Sequence, residues 1–282
     1  MKEVTITNQR ITAVISEKAA EVISLKRNDQ NIETIWCRNP EFWFNCNPVL
    51  FPYTGPLVDG KYEYKGNTYE LGQHGFARRA LFQFEEVTED SATLSLSASE
   101  ETLKVYPFQF RLEVKYTLDD YKLILSYKVT NLDKEDLPFD IGFHPAFNCP
   151  LTPDKTYADY CIEFEGEENL NTPRRDNVVI PDGDSFPLDQ YLIQGSFFYH
   201  NGQIKSRYAQ MSDGEHTIRV GKENFDTIGF WKPRPEAPFI CIEPWSYHND
   251  LRKEAFFRED TLVNMLPPKQ EFECSYYFEL VK

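Results

Sequence analysis

Three short segments carry the side chains that could do chemistry. His74 lies in Leu71-Gly72-Gln73-His74-Gly75-Phe76-Ala77-Arg78. It sits beside a glycine that permits close backbone approach, four residues before an arginine. His144 lies in Gly142-Phe143-His144-Pro145-Ala146-Phe147-Asn148, where Pro145 turns it away from helical torsions and toward a strand end. Glu243 follows the apolar run Phe239-Ile240-Cys241-Ile242 and precedes Pro244-Trp245. A carboxylate at the end of a buried strand is unlike a solvated surface charge. Imidazole and carboxylate exchange protons near neutrality. The same three groups also form the two-histidine, one-carboxylate ligand set of an iron site. Separations of 70 and 99 residues argue neither for nor against a metal. Taken singly, each histidine reads as a turn residue and the glutamate as a strand end. Chemistry requires all three to converge in one cleft.

The elements that would position them are strands. Phe108, Phe110, Leu112, Val114, Tyr116 and Leu118 alternate with polar residues. Asp119-Asp120 supplies turn chemistry, and Tyr121, Leu123, Leu125, Tyr127 and Val129 alternate again. Period two on both sides of a short turn predicts a hairpin with one buried face. Further strand candidates are Val4 to Ile15, Tyr62 to Tyr64, Ala92 to Ser97, Cys161 to Phe164, Thr217 to Val220, Phe239 to Ile242 and Tyr276 to Val281. The best helix signal is Asn249-Asp250 as a cap, with a short helix running through Phe257. Aromatics at 15%, dominated by 22 Phe and 16 Tyr, favour strands over helices. The expectation is an all-β sandwich or barrel of antiparallel sheets, in one domain over residues 1–282.

Composition removes several classes of function. The net charge of −15 repels polyanions, so neither nucleic acid nor an anionic membrane is an expected partner. No apolar run is long enough to span a bilayer, and the N-terminus lacks an apolar signal core. The reading is a cytoplasmic protein with six free thiols, Cys37, Cys46, Cys149, Cys161, Cys241 and Cys274. Monomer and homodimer fit equally.

The ordered set of segments Asn47 to Pro52, Gly60 to Tyr62, Gln73 to Arg78, Gly142 to Asn148 and Cys241 to Trp245 resembles the aldose 1-epimerase (galactose mutarotase-like) superfamily. Within it the LacX-like branch matches best. The resemblance implies a supersandwich of antiparallel sheets with few short helices. It also implies interconversion of the α and β anomers of a sugar by ring opening and closure. Glu243 would be the general base, His144 the general acid, and His74 a binding and charge-stabilising partner. Such proton transfers need neither redox cofactor nor metal.

The match is uneven in places. Many relatives carry an arginine where this chain has Pro56, in Tyr53-Thr54-Gly55-Pro56-Leu57, and Pro56 offers no donor. Arg78 is the nearest substitute for sugar binding; the competing role is a salt bridge that packs the loop. Asp226 and Trp231, in Asp226-Thr227-Ile228-Gly229-Phe230-Trp231, are the remaining sugar-binding candidates. Trp36 and Trp43 read as packing residues. His200, His216 and His248 carry no motif, and the acidic runs Glu85 to Asp90 and Glu163 to Glu168 read as solvated turns. Two alternatives stay open: a hexose-6-phosphate 1-epimerase, drawing on Arg78-Arg79 and Lys232-Pro233-Arg234, and a noncatalytic carbohydrate-binding protein.

Overall fold

A computed structural model describes residues 1–170, 179–199, 204–223, 225, 227–246 and 264–281. The hairpin expected from alternation forms strands Phe110–Asp119 and Lys122–Asn131. Asp119 pairs with Lys122, so the turn is Asp120-Tyr121, one residue later than the composition suggested. Asp120 takes a φ of 50°, a left-handed conformation that aspartate tolerates better than most residues. Leu112, Val114, Tyr116, Leu123, Leu125 and Tyr127 are buried, while the intervening side chains face water.

That hairpin is the centre of a nine-stranded antiparallel sheet. One edge runs outward through Ser91–Ser97 to Gln83–Val87. The other passes through Glu271–Leu280, Thr217–Glu223, Tyr208–Ser212 and Cys161–Glu168 to Gly183–Pro187. A second, six-stranded sheet runs in the order Gly195–Tyr199, Thr227–Lys232, Phe239–Trp245, Gly142–Phe143 and Val49–Leu50, with Ala146–Asn148 also paired to Phe239–Trp245. A three-stranded sheet (Glu3–Thr7, Ile11–Ser16, Val22–Arg27) and two smaller ribbons complete the described strands. The helices are single short turns such as Glu100–Val105, capped by Ser99. The fold is the supersandwich of antiparallel sheets.

The two large sheets meet through aromatic rings. Phe143 stacks on Tyr127 at a centroid distance of 3.8 Å and lies 4.6 Å from Tyr276. Phe147 meets Phe278 edge-on at 5.0 Å. Phe230 packs against Phe164 and Phe186. These contacts orient the six-stranded sheet: one face belongs to the shared core, and the other is left for a site.

The run Glu163 to Glu168 is a strand rather than a solvated turn, and Glu168 is buried. Its carboxylate accepts the N–H groups of Lys205 and Ser206 and the Ser206 hydroxyl, at 2.6–3.0 Å. Three donors offset its loss of water. The helix expected from Asn249 lies outside the described residues, as do His200 and His248.

Truncating Phe143 to alanine empties the contact between the two sheets. The expected cost is about 3–5 kcal/mol, the usual range for a buried phenylalanine. Phe44, which is 49% exposed, serves as the comparison. Its truncation should move the midpoint of chemical denaturation little.

Candidate active site

Every residue of Phe239–Trp245 is buried, so the strand's composition does not say which face does what. Its partners do. Ile240 pairs with Phe147 and Ile242 with Phe230, both on the core face. Period two then puts Phe239, Cys241, Glu243 and Trp245 on the opposite face. The strand does not end at Glu243, as Pro244 suggested; it runs on through Trp245. Ile242 N–H bonds to Pro145 O and Ser246 N–H to Ile141 O, so the backbone of Pro244 faces the same neighbour between them. That neighbour is interrupted there, between Gly142–Phe143 and Ala146–Asn148. The proline's missing N–H therefore costs no ladder bond.

His144 occupies the interruption. Its Nε2 is 3.5 Å from Glu243 Oε2. The imidazole lies against Trp43 at 4.6 Å and meets Trp231 edge-on at 5.0 Å. Trp43 is thus part of the site wall, beyond the packing role its sequence context suggested. Trp36 keeps a packing role, donating its indole N–H to the Trp43 carbonyl at 2.9 Å. On the strand beyond Glu243, the paired residue is Gly229. A Cβ there would sit 2.2 Å from the Phe198 ring, which uses that space beside the carboxyl.

His74 arrives on a loop pinned at several points. Phe51 O accepts the N–H groups of Phe76 and Ala77. A Cβ on Gly75 would lie 2.2 Å from that same oxygen, so no larger residue fits. His74 itself takes a φ of 64°. Its N–H donates to Gly55 O at 2.9 Å, and Gly55 N–H donates to His74 Nδ1 at 3.0 Å. With Nδ1 accepting, the proton of the neutral ring sits on Nε2 and is donated to the Gln73 side-chain amide 3.1 Å away, whose oxygen then faces the ring. The ring contacts Trp245 at 5.6 Å and His144 at 5.8 Å.

These side chains border one cavity of about 380 Å³. His74, His144, Glu243, Arg78 and Trp231 all line it, with Trp43, Trp245, Gln73, Ser196 and Phe198. Pro56 lines it too, so no donor comes from that side chain. Arg78 makes no ion pair among the described residues, and its buried Nε has no hydrogen-bond partner there. Asp226 lies outside the described residues. The strand holding Ser196 and Phe198 was not among the sequence candidates, although Gly195-Ser196-Phe197-Phe198-Tyr199 carries the aromatic composition of one. Among the phosphate-binding candidates, Lys232 points away, donating to the carbonyls of Ala237 and Phe239 under the Tyr157 ring. Arg234 stacks on Phe42 at the rim, 4.3 Å from the ring centre. A larger hollow of about 430 Å³ lies on the wet face of the nine-stranded sheet, but its Lys128 and Glu113 pair with each other at 3.5 Å.

Three buried glutamates show what distinguishes the site. Glu21 accepts from Asn45, Cys46 and Asn47 at 2.8–3.3 Å, and Glu168 from Lys205 and Ser206. Glu243, 1% exposed, finds no close hydrogen-bond partner on either oxygen among the described residues beyond a weak interaction with the Trp245 side chain. Burial accordingly pushes its carboxyl well above the ordinary 4.5, against the opposing charge of Arg78. Burial also drives His144 well below 6.5, with His74 and Arg78 adding to the effect. His74 is lowered to about 3 by burial and then by Arg78. The Glu243 and His144 shifts both run toward the uncharged forms, a neutral carboxyl beside a neutral imidazole. Among the described residues, His74 does not group with His144 and Glu243 as a metal-ligand set. The metal-binding types that do lie together are His144, Cys241 and Glu243.

The aldose 1-epimerase family model matches residues 2–253. The plasmid-encoded protein LacX of Lactococcus lactis subsp. lactis is 32% identical over an alignment of 273 positions that covers 90% of this chain and 91% of that protein. The crystal structure of a galactose mutarotase related enzyme from Lactobacillus acidophilus is 30% identical, covers 100% of this chain and 98% of that one, and superposes with a TM-score of 0.84. A galactose mutarotase-like protein from Lactobacillus casei is 29% identical, with a TM-score of 0.85 and coverage of 99% and 100%. A supersandwich with this cavity is the frame of a sugar isomerase. The chain belongs to the aldose 1-epimerase family and, within it, to the LacX-like branch.

The buried carboxyl has a thermodynamic signature. Its pKa is raised on folding, so the stability it contributes is full below about pH 4.5 and falls as pH rises toward the folded value. Glu243→Gln removes that loss. The melting temperature of the variant should exceed that of the parent by roughly 2–4 °C for each kcal/mol relieved. The gap should widen from pH 5 to pH 8 in a thermal-melt series; a gap that narrows would contradict the raised pKa.

Proposed function

We propose that the cavity interconverts the α and β anomers of a free aldohexose by acid–base ring opening and closure. The observation that carries this reading is the buried Glu243–His144 pair, 3.5 Å apart at the cavity wall. Mutarotation needs one group to take the anomeric hydroxyl proton and another to protonate the ring oxygen. The ring opens, the C1 carbonyl rotates, and closure on its other face returns both protons. A pair that holds one proton always contains one donor and one acceptor, so the same two residues serve both directions.

Glu243 is the base and His144 the acid. The resting, uncharged pair reaches the carboxylate–imidazolium form by passing its proton across the gap, and Arg78 favours the carboxylate. The ordinary histidine pKa is therefore not what makes the acid available. A proton handed over within the pair is. His74, its Nε2–H shared with Gln73 at the cavity wall, is the partner proposed for the oxygen that gains charge. Trp43 and Trp231 present apolar ring surface to the sugar and keep water from the pair. Arg78, at the cavity wall, is the polar contact assigned to a sugar hydroxyl, and Asp226 remains a candidate from the sequence alone. Of the phosphate-binding candidates Arg78, Arg79, Lys232 and Arg234, Arg78 alone lines the cavity, which favours an unphosphorylated sugar.

Polarimetry on freshly dissolved α-D-glucose and α-D-galactose tests the reading. Glu243→Gln and His144→Asn should each slow the catalysed change by about 100-fold or more, the usual worth of a positioned acid or base. Parent-like rates in either variant would refute the pair. Sugar binding without acceleration in the parent would make the protein a binding module. Stronger competition by glucose 6-phosphate than by glucose would move the substrate to phosphosugars.

The pH profile tests the shared proton. Activity should fall on the acid side only below the ordinary histidine range, where His144 gains a second proton. On the alkaline side it should fall above the ordinary carboxyl range, where the pair loses its only one. A narrow bell between pH 4.5 and 6.5 would contradict this.

A further inference from the structure

We propose that His144, Cys241 and Glu243 form a three-ligand site for a thiophilic divalent cation of the zinc type, whose occupation shuts off proton transfer. Strand alternation puts Cys241 and Glu243 on the same face of Phe239–Trp245, two residues apart, and His144 enters from the break in the neighbouring strand. One ligand atom from each of the three lies within 4.8 Å of the other two. Zinc bonds of about 2.0–2.3 Å at the tetrahedral angle place neighbouring ligand atoms about 3.3–3.8 Å apart. Nε2 of His144 and Oε2 of Glu243, at 3.5 Å, already have that separation. The Cys241 sulfur, no more than 4.8 Å from the other two ligand atoms, needs to approach by at most about an ångström, within the reach of a rotamer adjustment.

The donor set selects the ion. Calcium and magnesium take oxygen ligands, whereas one sulfur, one nitrogen and one oxygen suit zinc. Thiolate and carboxylate cancel the double charge of the ion, so the buried complex carries no net charge. The thiol and any protonated carboxyl give up their protons to solvent on binding. Glu243 and His144 both line the cavity, which leaves the fourth coordination position facing it. The charge of Lys232 is felt at Cys241 and that of Arg78 at Glu243, and both oppose a cation. The site therefore fits reversible occupation rather than a permanent structural ion. Occupation engages the lone pairs of both proton-transfer groups. This last consequence rests on the acid–base reading above; the metal binding does not.

The test is a Co²⁺ titration of the full chain, followed by displacement with Zn²⁺. One equivalent should bind with a thiolate-to-cobalt charge-transfer band. The band should vanish in Cys241→Ser and persist in Cys37→Ser, which removes an exposed thiol. Zn²⁺ affinity should fall at least about tenfold in Cys241→Ser and in Glu243→Gln, the scale on which metal sites respond to lost partners. In polarimetry, Zn²⁺ should lower the apparent kcat for mutarotation, and a chelator should restore it. No band in the parent, a band that survives Cys241→Ser, or a Glu243→Gln affinity within about twofold of the parent would overturn the site. If Cys241→Ser does not fold, the Glu243→Gln titration decides. A band without any mutarotation would keep the metal site and overturn the epimerase reading instead.

Discussion

A carboxyl and an imidazole held 3.5 Å apart, out of water but open to a ligand, set the demands that the rest of this molecule meets. Drying a carboxyl without giving it donors is costly, and a chain left to itself would either hydrate it or bond it. Glu21 and Glu168 show the ordinary solution, with backbone N–H groups turned toward the carboxylate. Glu243 is kept from that solution because it projects from the middle of a strand whose own N–H groups are used in pairing. The rigid sheet holds the group where a loop would relax around it. That rigidity comes from the second layer, where Phe143, Phe147 and Phe230 are locked against the nine-stranded sheet.

The break between Gly142–Phe143 and Ala146–Asn148 is the second half of the device. A continuous strand would place His144 in a ladder with its neighbour. The interruption instead turns the ring toward Glu243 and leaves Trp43 and Trp231 to fix it from two directions. Pro244 faces the same interruption, so its missing donor and the displaced histidine are consequences of one local geometry. His74 depends on a different constraint, the contact of Gly75 with Phe51 O. That contact admits no side chain and obliges His74 to bond reciprocally with Gly55.

Pro56 lines the cavity and offers it no donor. The cation at the wall comes from Arg78, on the loop that carries His74, and no ion pair among the described residues commits it elsewhere. Its charge acts on Glu243 across the cavity. The same side chain thus borders the cavity and bears on the carboxyl proposed to act there. Cys241, two residues before Glu243 on the same face, adds a soft ligand that a proton-transfer pair does not need.

The period-two runs and aromatic composition determined the strand-rich class, and the hairpin at Phe110–Asn131 was legible to within one residue of its turn. This worked because one face of that sheet is wet, so alternation survives in the sequence. The buried strand Phe239–Trp245 carries no such alternation, and the face on which Glu243 lies is decided only by its neighbours. The three chemical segments were legible as residue types; their convergence was not, because it depends on strands brought together from more than 160 residues apart in sequence. Trp43 read as packing because nothing local distinguishes a tryptophan against a core from one against an imidazole. Glu168 read as solvated because its donors come from Lys205 and Ser206, far along the chain. Local order and composition set which elements form. Which side chains share a dry cavity, and therefore which protons are shared, is set by long-range pairing that no local pattern encodes.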